Sequence, residues 1–195
     1  MTPLLQICDL WQSSRHFLLT AHANPDGDAV GSLSGLAHLL ARLGRTGSIL
    51  LPEGLPDRFS WLTPAWPVVS HLPQKIDQCI VVLDEDLAAR LKGRELINID
   101  HHTGNSLFGT LNWVDPGLSS VGEMIAMAAR SLEMRINGPL AEGLYLAIMA
   151  DTGSLTFSNT KPHTLDVIAE ILANGLNQDD FQAKMQRQWS LPKLC

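Results

Sequence analysis

Apolar and polar residues alternate along this chain in a way that predicts strands separated by helices. Short apolar runs predict strands at residues 17–21, 47–51, 79–83, 95–99 and 110–114. Apolar residues spaced three or four positions apart predict helices over residues 1–14, 28–43, 86–92, 119–134, 139–150, 162–173 and 178–188. Four prolines within residues 52–67 predict a loop there, with one helical turn at 57–62.

The central strands are apolar throughout, instead of apolar only at alternate positions. The runs that end at Leu83 and Ile99 show this most clearly. Strands of this kind are buried on both faces, as in a parallel sheet that carries helices on each side. We therefore predict an α/β fold with a parallel, Rossmann-like β-sheet and helices on both faces.

Composition narrows the classes of partner. A chain of 195 residues with 45% hydrophobic and 17% charged residues can bury a normal core. The formal net charge of -6 argues against a surface that grips duplex DNA. The negative net charge does not exclude nucleotide substrates, because bound divalent cations can make the local charge of an acidic site positive.

The positions of the cysteines and the lack of a long apolar run indicate the cellular compartment in which we expect the protein. Cys8, Cys79 and Cys195 lie far apart without a CxxC pair, so we expect free thiols in a reducing compartment. No signal peptide and no run long enough for a membrane span is evident. We expect a cytoplasmic protein that does not contact a membrane.

Polar side chains follow three of the predicted strands and one apolar helix. These side chains are His22, Asp26, Asp28, Asp84, Asp100, His101, His102 and Asp151. Parallel sheets form their sites beyond the carboxyl ends of the strands, so separate segments deliver these groups to one edge. Carboxylates mixed with imidazoles suit Mn²⁺, Fe²⁺, Co²⁺ or Zn²⁺ better than Ca²⁺ or Mg²⁺.

Asp26 and Asp28 are separated by a single glycine, so they face different ways and suit two metal ions better than one. Two ions roughly 3.5–4 Å apart with a bridging carboxylate can hold a hydroxide for attack on phosphorus.

Each of these residues also has a simpler explanation. Asp28 could cap the following helix, Asp84 and Asp151 could form turns, and the two histidines could lie on the surface. The joint pattern favours the metal site. For Trp61, Trp66 and Trp113 we expect packing in the core or loops, although exposed aromatics can stack on bases.

Four segments together closely resemble the DHH phosphoesterase superfamily. They are His22-x-x-x-Asp26-x-Asp28 with Gly31-Ser32, Asp84 after a strand, Asp100-His101-His102 followed by Asn105 and Phe108-Gly109, and Asp151-Thr-Gly-Ser154. Asp115-Pro116 with Ser119-Ser120 and Gly122-Glu123 is most similar to the branch of bacterial nanoRNases and pAp phosphatases, related to the RecJ exonuclease.

The resemblance implies a ligand set for two divalent ions, most often manganese. His22 and Asp26 would bind one ion, while Asp28, His101 and Asp151 would bind the other. Asp84 would bridge the two ions.

The resemblance also implies a phosphoesterase reaction. His102 would contact the scissile phosphate, Asp100 would orient the histidine pair, and Ser32 would contact substrate phosphate. The implied substrates are pAp and short single-stranded oligonucleotides, attacked by a metal-activated hydroxide.

Two features depart from the family pattern. The second motif is Asp84-Glu85-Asp86, one residue shorter than the family's usual Asp-x-x-Asp. The glycine-rich GGGH-type motif of the family's C-terminal substrate domain does not occur. We therefore expect residues 1–177 to be a DHH catalytic domain and residues 178–195 to begin a linker helix towards a missing substrate domain.

Two alternative functions stay open. One is a manganese inorganic pyrophosphatase, which shares the motif set. The other is a non-catalytic domain that binds metal or nucleotide. Without a second domain, the inner face of the chain that such a domain would cover should be exposed and apolar. An exposed apolar face predicts association with other chains, for example as a homodimer.

Overall fold

A parallel β-sheet lies at the centre of the molecule. The computed structural model describes residues 1–72, 80–83 and 95–187, without the side chains of residues 80–83 and 187. Within these residues the sheet contains β1 (His16–Ala21), β2 (Thr46–Leu50), β3 (Val68–Val69), β4 (Ile80–Leu83), β5 (Leu96–Asp100) and β6 (Leu111–Val114).

The strands run in the order β3-β2-β1-β4-β5-β6, and every neighbouring pair is parallel. The predicted α/β fold with a parallel sheet is therefore confirmed, and the predicted strands match β1, β2, β4, β5 and β6 to within one or two residues. Strand β3 was not predicted, because its two residues lie beside the proline-rich segment and carry no periodicity.

Helices flank the sheet in the places that the apolar spacing predicts. The described helices are α1 (Pro3–Ser13), α2 (Gly27–Arg42), α3 (Val121–Ser131), α4 (Gly138–Asp151), α5 (Pro162–Ala173) and α6 (Gln178–Arg187). A short 3₁₀ turn at Asp57–Phe59 matches the helical turn predicted in the loop. The predicted helix over 86–92, together with Cys79, Asp84 and residues 188–195, lies outside the described residues.

Alternate residues of β1, β2 and β5 enter two different clusters. Phe17, Leu19 and Ala21 of β1 join the large core that contains the described helices. Leu18 faces the other way and packs with Leu50 and Leu96, covered by loop and strand residues that include Leu72 and Phe108. Both faces of β1 and β5 are thus buried, which explains their continuous apolar sequence.

Among the described helices, α2 and α4 pack most closely. A side chain added at Gly31 would lie 2.5 Å from the carbonyl oxygen of Gly143 and 2.8 Å from the amide nitrogen of Ala147. Gly27 likewise lies against Ala150, and Gly35 against Leu144. The two helices cross in opposite directions with their backbones in contact, so the beginning of α2 lies beside the end of α4.

Aromatic residues and the described thiol pack as expected. Trp66 and Trp113 are buried, and Trp61 stacks edge-on against Phe181 with ring centroids 5.3 Å apart. Cys8 is a buried free thiol, and its burial, followed by the charge of Asp9, raises its pKa to about 11. None of the described helices is both long and apolar enough to span a membrane.

Candidate metal centre

The predicted site lies at the point where the order of the strands reverses. From β1 the chain passes through α2 to β2 on one side, whereas β4 pairs with β1 on its other side. Ligands of open parallel sheets bind at such a switch point, beyond the carboxyl ends of the strands. The His22–Asp28 turn follows β1, and Asp100-His101-His102 closes β5.

Three of the predicted ligands converge at this edge. Nε2 of His101 lies 2.9 Å from Oδ2 of Asp151 and 3.7 Å from Oδ2 of Asp28. Within the described residues, these side chains form a group whose candidate ligand atoms all lie within 4.8 Å of one another. They come from the end of β5, the first turn of α2 and the last residue of α4, which the α2–α4 crossing brings together.

The donor atoms of this group fit a divalent cation. Nε2 of His101 is buried and makes no properly oriented hydrogen bond to any described group, although Asp151 is close. Burial lowers the pKa of His101. The contact with Asp151 and the charge of Asp28 raise it by more than burial lowers it, so the net shift of the pKa is upward. Two carboxylates and a buried ring nitrogen without cysteine are the donors expected for a mixed nitrogen and oxygen site.

Asp28 is held in one orientation by three donors. Its carboxylate accepts hydrogen bonds from the amides of Val121 and Gly122, at 3.0 and 3.1 Å, and from Oγ of Ser32 at 3.0 Å. Burial, and then the charge of Asp151, raises its pKa to about 6. Two acids close together in a buried place repel each other, so a cation between them would be strongly stabilising.

The alternative explanation of Asp28 as a helix cap is wrong. Asp26 is the N-cap of α2, and its Oδ1 accepts a hydrogen bond from the amide of Ala29 at 2.9 Å. Asp28 lies inside the first turn instead, only 6% exposed. A short acidic side chain suits either position, so the residue types alone could not distinguish the two aspartates.

The second predicted ligand group is only partly described. Nε2 of His22 lies 4.0 Å from Oδ1 of Asp26, and both side chains are about half exposed, at 45% and 58%. They lie outside the group formed by Asp28, His101 and Asp151. Asp84, the predicted bridge, lies outside the described residues, so its role stays a prediction.

Asp100 organises the residues that follow it. Its Oδ1 accepts hydrogen bonds from the amides of His101 and His102 and from Nδ1 of His102, the last at 2.7 Å. Its Oδ2 accepts from Asn105 at 2.7 Å. Burial raises the pKa of Asp100, but the hydrogen bonds from Asn105 and His102 outweigh that effect and lower it.

His102 is the exposed member of the histidine pair. Its side chain is 74% exposed, while its Nδ1 is fixed on Asp100. The ring therefore presents its other nitrogen, Nε2, to the surroundings. This orientation is the one that the predicted contact with a phosphate would require.

Ser32 is buried, whereas its predicted contact with substrate phosphate needs an accessible hydroxyl. The residue is 1% exposed, and its hydroxyl donates to Asp28. The contact between Ser32 and substrate stays a prediction, whereas the described hydrogen bond makes Ser32 a support for Asp28.

Several residues at the site were missed by sequence reasoning. Backbone amides such as those of Val121 and Gly122 leave no signal in residue type. Asn159 donates to the carbonyls of Ser119 and Asp151, at 3.2 and 3.0 Å, and so ties α3 to the end of α4.

A groove of about 370 Å³ opens beside Asp26, between the start of α2, the end of α4 and α6. Its walls include Phe59, Met149 and Phe181, and Arg58 is the basic side chain among the described residues that line it. The guanidinium of Arg58 lies over the ring of Phe59, 4.7 Å from its centroid. No motif in the sequence marks this arginine.

Comparison with known proteins identifies the family of this chain. The model of the DHH family, N-terminal domain, matches residues 16–148, which is more than half of the chain. The chain belongs to the DHH family. The matched residues include His22, Asp28 and His101, and Asp151 lies three positions beyond the end of the match.

Curated relatives of this DHH domain carry related names. The bifunctional oligoribonuclease and PAP phosphatase NrnA of Thermus thermophilus is 32% identical over 86% of this chain and 53% of its own length. The protein of the same name from Bacillus subtilis is 29% identical over 88% of this chain and 56% of its own. The predicted resemblance is thus confirmed, and the DHH domain spans about half the length of these relatives.

Solved structures share the fold of this DHH domain. An exopolyphosphatase-related protein from Bacteroides fragilis matches 95% of this chain and 60% of its own, with a TM-score of 0.82 and 22% identity. A putative family II inorganic pyrophosphatase from Methanococcus jannaschii matches with a TM-score of 0.56 and 18% identity. At these identities the likeness establishes the fold alone.

Proposed function

We propose that this DHH domain is the catalytic part of a divalent-metal-dependent phosphoesterase that acts on pAp and on the ends of short oligoribonucleotides. The observation that carries the proposal is the convergence of Asp28, His101 and Asp151 at the switch point of the sheet, where the buried Nε2 of His101 lies against both carboxylates. The two named relatives support the substrate class.

The residues present would hold the metal in the way the family resemblance implies. Asp28, His101 and Asp151 would bind one ion, His22 and Asp26 a second, and Asp84 would bridge them. We propose Mn²⁺ for both, because manganese accepts mixed carboxylate and imidazole ligands. Bound divalent cations supply two effects here, since they neutralise phosphate charge and lower the pKa of water.

The chain's own residues would orient the phosphate. The carboxylate of Asp100 fixes Nδ1 of His102 and leaves Nε2 exposed, so Nε2 would contact an oxygen of the bound phosphate. With Nδ1 held by Asp100, Nε2 of His102 would be the ring nitrogen that is free to contact the phosphate. Asn105 holds the other oxygen of Asp100 and keeps this arrangement in place.

The groove beside Asp26 supports a nucleotide substrate. Apolar and aromatic walls with one guanidinium suit a nucleoside that carries a phosphate. A cytoplasmic location, a homodimer and the lack of a duplex DNA grip stay predictions.

The test uses the purified chain with Mn²⁺ and three separate substrates, which are pAp, an RNA dinucleotide and inorganic pyrophosphate. We expect release of phosphate from pAp and of mononucleotides from the RNA. His101→Ala and Asp84→Asn should abolish both reactions, whereas His71→Ala, at an exposed histidine beside Ser70, should leave them unchanged.

The other outcomes separate the alternatives. Hydrolysis of pyrophosphate alone would make the protein a pyrophosphatase. Binding of Mn²⁺, measured by calorimetry, without any hydrolysis would make this chain a metal-binding domain that is not catalytic by itself. Full activity of Asp84→Asn would show that Asp84 does not bridge the metals.

A further inference from the structure

Glu123 is a buried acid that the proposed reaction does not use. It lies in the first turn of α3 and is 1% exposed. Its Oε2 accepts hydrogen bonds from the amide and the hydroxyl of Ser119, at 2.9 and 2.6 Å, and from the hydroxyl of Thr164 at 3.0 Å. Its Oε1 pairs with Nδ1 of His163, a half-exposed residue at the start of α5. A fully satisfied buried carboxylate of this kind fixes the segments that supply its donors.

The turn that Glu123 closes is the turn that holds Asp28. Glu123 binds back to Ser119, and its own amide donates to Oγ of the N-cap Ser120 at 3.1 Å. Val121 and Gly122 lie inside this closed turn, and their amides donate to the two oxygens of Asp28. The direction of those amides is therefore set by the hydrogen bonds on either side of them.

The same turn is also tied to the second acid of the centre. Asn159 joins the carbonyl of Ser119 to the carbonyl of Asp151. Displacement of Ser119 would thus alter the support of both Asp28 and Asp151. The effect would reach the ligands through backbone groups, because Glu123 itself contacts neither acid among its described hydrogen bonds.

We infer that Glu123, backed by His163 and Thr164, is a positioning residue for the metal centre. Its carboxylate holds the turn from Ser119 to Glu123 so that the amides of Val121 and Gly122 keep Asp28 aimed at His101 and Asp151. This inference rests on the proposed function for the role of the metal. Groups that orient metal ligands in this way contribute roughly 10–100-fold to metal affinity or activity.

The main test compares Glu123→Gln with Glu170→Gln. Glu170 also forms an ion pair, with Arg130 at 2.7 Å, but on the surface between α3 and α5. We expect Glu123→Gln to weaken binding of Mn²⁺ alone by about 10–100-fold, measured by calorimetry or electron paramagnetic resonance. The kcat for pAp should fall by a similar factor with KM nearly unchanged, and Glu170→Gln should alter neither quantity.

A double-mutant cycle with Asp28→Asn tests whether Glu123 acts through Asp28. We expect Asp28→Asn to remove one Mn²⁺ site, and Glu123→Gln in that background to leave the affinity of the remaining site unchanged within twofold. Effects on the affinity that simply add in the double mutant would show that the two residues act independently. That result would overturn the inference.

A measurement without metal separates this inference from the proposed function. In nuclear magnetic resonance spectra of the metal-free chain, the amide protons of Val121 and Gly122 should shift upfield in Glu123→Gln and exchange faster with solvent. This result is expected even if the wild type binds no metal, in which case only the proposed function fails. Unchanged amide signals would overturn the inference.

A milder variant covers the case in which Glu123→Gln does not fold. Ser119→Ala removes only the hydroxyl donor and should weaken Mn²⁺ binding severalfold, with the same direction of change in the Val121 and Gly122 amides. A lower melting temperature with unchanged Mn²⁺ affinity in either folded variant would reduce Glu123 to a purely structural role and overturn the inference.

Discussion

Two buried carboxylates at this site have pKa values that shift in opposite directions. Burial raises the pKa of Asp28 to about 6, and the charge of Asp151 adds to the shift. Burial also raises the pKa of Glu123, but hydrogen bonds from Ser119 and His163 outweigh it and lower the pKa overall. Glu123 faces only hydrogen-bond donors, whereas Asp28 faces a second acid, Asp151, in addition to its three donors. This difference separates a supporting acid from a candidate ligand.

Glu123 also predicts a dependence of stability on pH. Its carboxyl has a lower pKa in the folded state than the ordinary value of 4.5. Its contribution to the free energy of unfolding is therefore present above about pH 4.5 and is lost as the pH falls through the folded pKa. The gap in stability between wild type and Glu123→Gln should be roughly 1–3 kcal/mol near pH 6 and should shrink below pH 4.5.

Urea unfolding of both proteins between pH 3 and pH 7 measures this gap. Glu170→Gln, at the surface pair with Arg130, serves as the matched control and should change stability by less than about 1 kcal/mol. A gap between wild type and Glu123→Gln that is constant over the whole pH range would contradict the prediction.

At the scale of elements, the crossing of α2 and α4 brings Asp28 and Asp151 together. Helix propensity alone favours Gly31→Ala by about 1 kcal/mol. The added methyl group would lie 2.5 Å from the carbonyl oxygen of Gly143, where only movement of the helix backbone can relieve the clash. We expect the steric effect to win and the variant to lose about 1–3 kcal/mol of stability.

The same variant should also weaken metal binding, because separated helices move Asp28 away from Asp151. Thermal unfolding and Mn²⁺ calorimetry on Gly31→Ala measure the two effects. Gly104→Ala is the matched control, since nothing lies within 4 Å of the methyl group it would add. An unchanged or higher stability of Gly31→Ala would show that the crossing can adjust without cost.

The elements were largely predictable from the sequence, but their contacts were not. The apolar spacing of α2 and the continuous apolar runs of β1 and β5 follow directly from burial, so periodicity found them. Strand β3 is too short to show a period. The backbone contact between Gly31 and Gly143 joins residues far apart in the chain, and a glycine alone does not name its partner.

The same division holds for the site. Asp28, His101 and Asp151 could be nominated because each ends or begins an element at one edge of the sheet. The pairing of Asp28 with the amides of Val121 and Gly122 could not be foreseen, since every residue type carries an amide. The role of Glu123 depends on that pairing and was hidden for the same reason.

For the molecule as a whole, metal binding and stability should be linked. A ligand that binds only the folded chain stabilises it by about 2.7 kcal/mol at a concentration 100 times its Kd. For a domain of this size, that corresponds to a rise in Tm of roughly 5–11 °C. We expect Mn²⁺ to produce this rise in Tm in the wild type and less than half of it in His101→Ala.

Differential scanning calorimetry with and without Mn²⁺ measures the shift, and removal of the metal with a chelator should reverse it. His71→Ala should behave as the wild type. An equal rise in Tm for His101→Ala would place the stabilising ion away from the described group.

The hydrogen bonds of Asp28 also determine when the centre can form during folding. Its amide partners lie 93 and 94 residues further along the chain, and Asp151 lies later still. Closing such long loops precedes any gain from the contacts they bring, so these contacts form late. A chain still on the ribosome therefore has no complete site until α4 has emerged. Capture of the proposed ion would then come at the end of folding in this domain and would not nucleate its start.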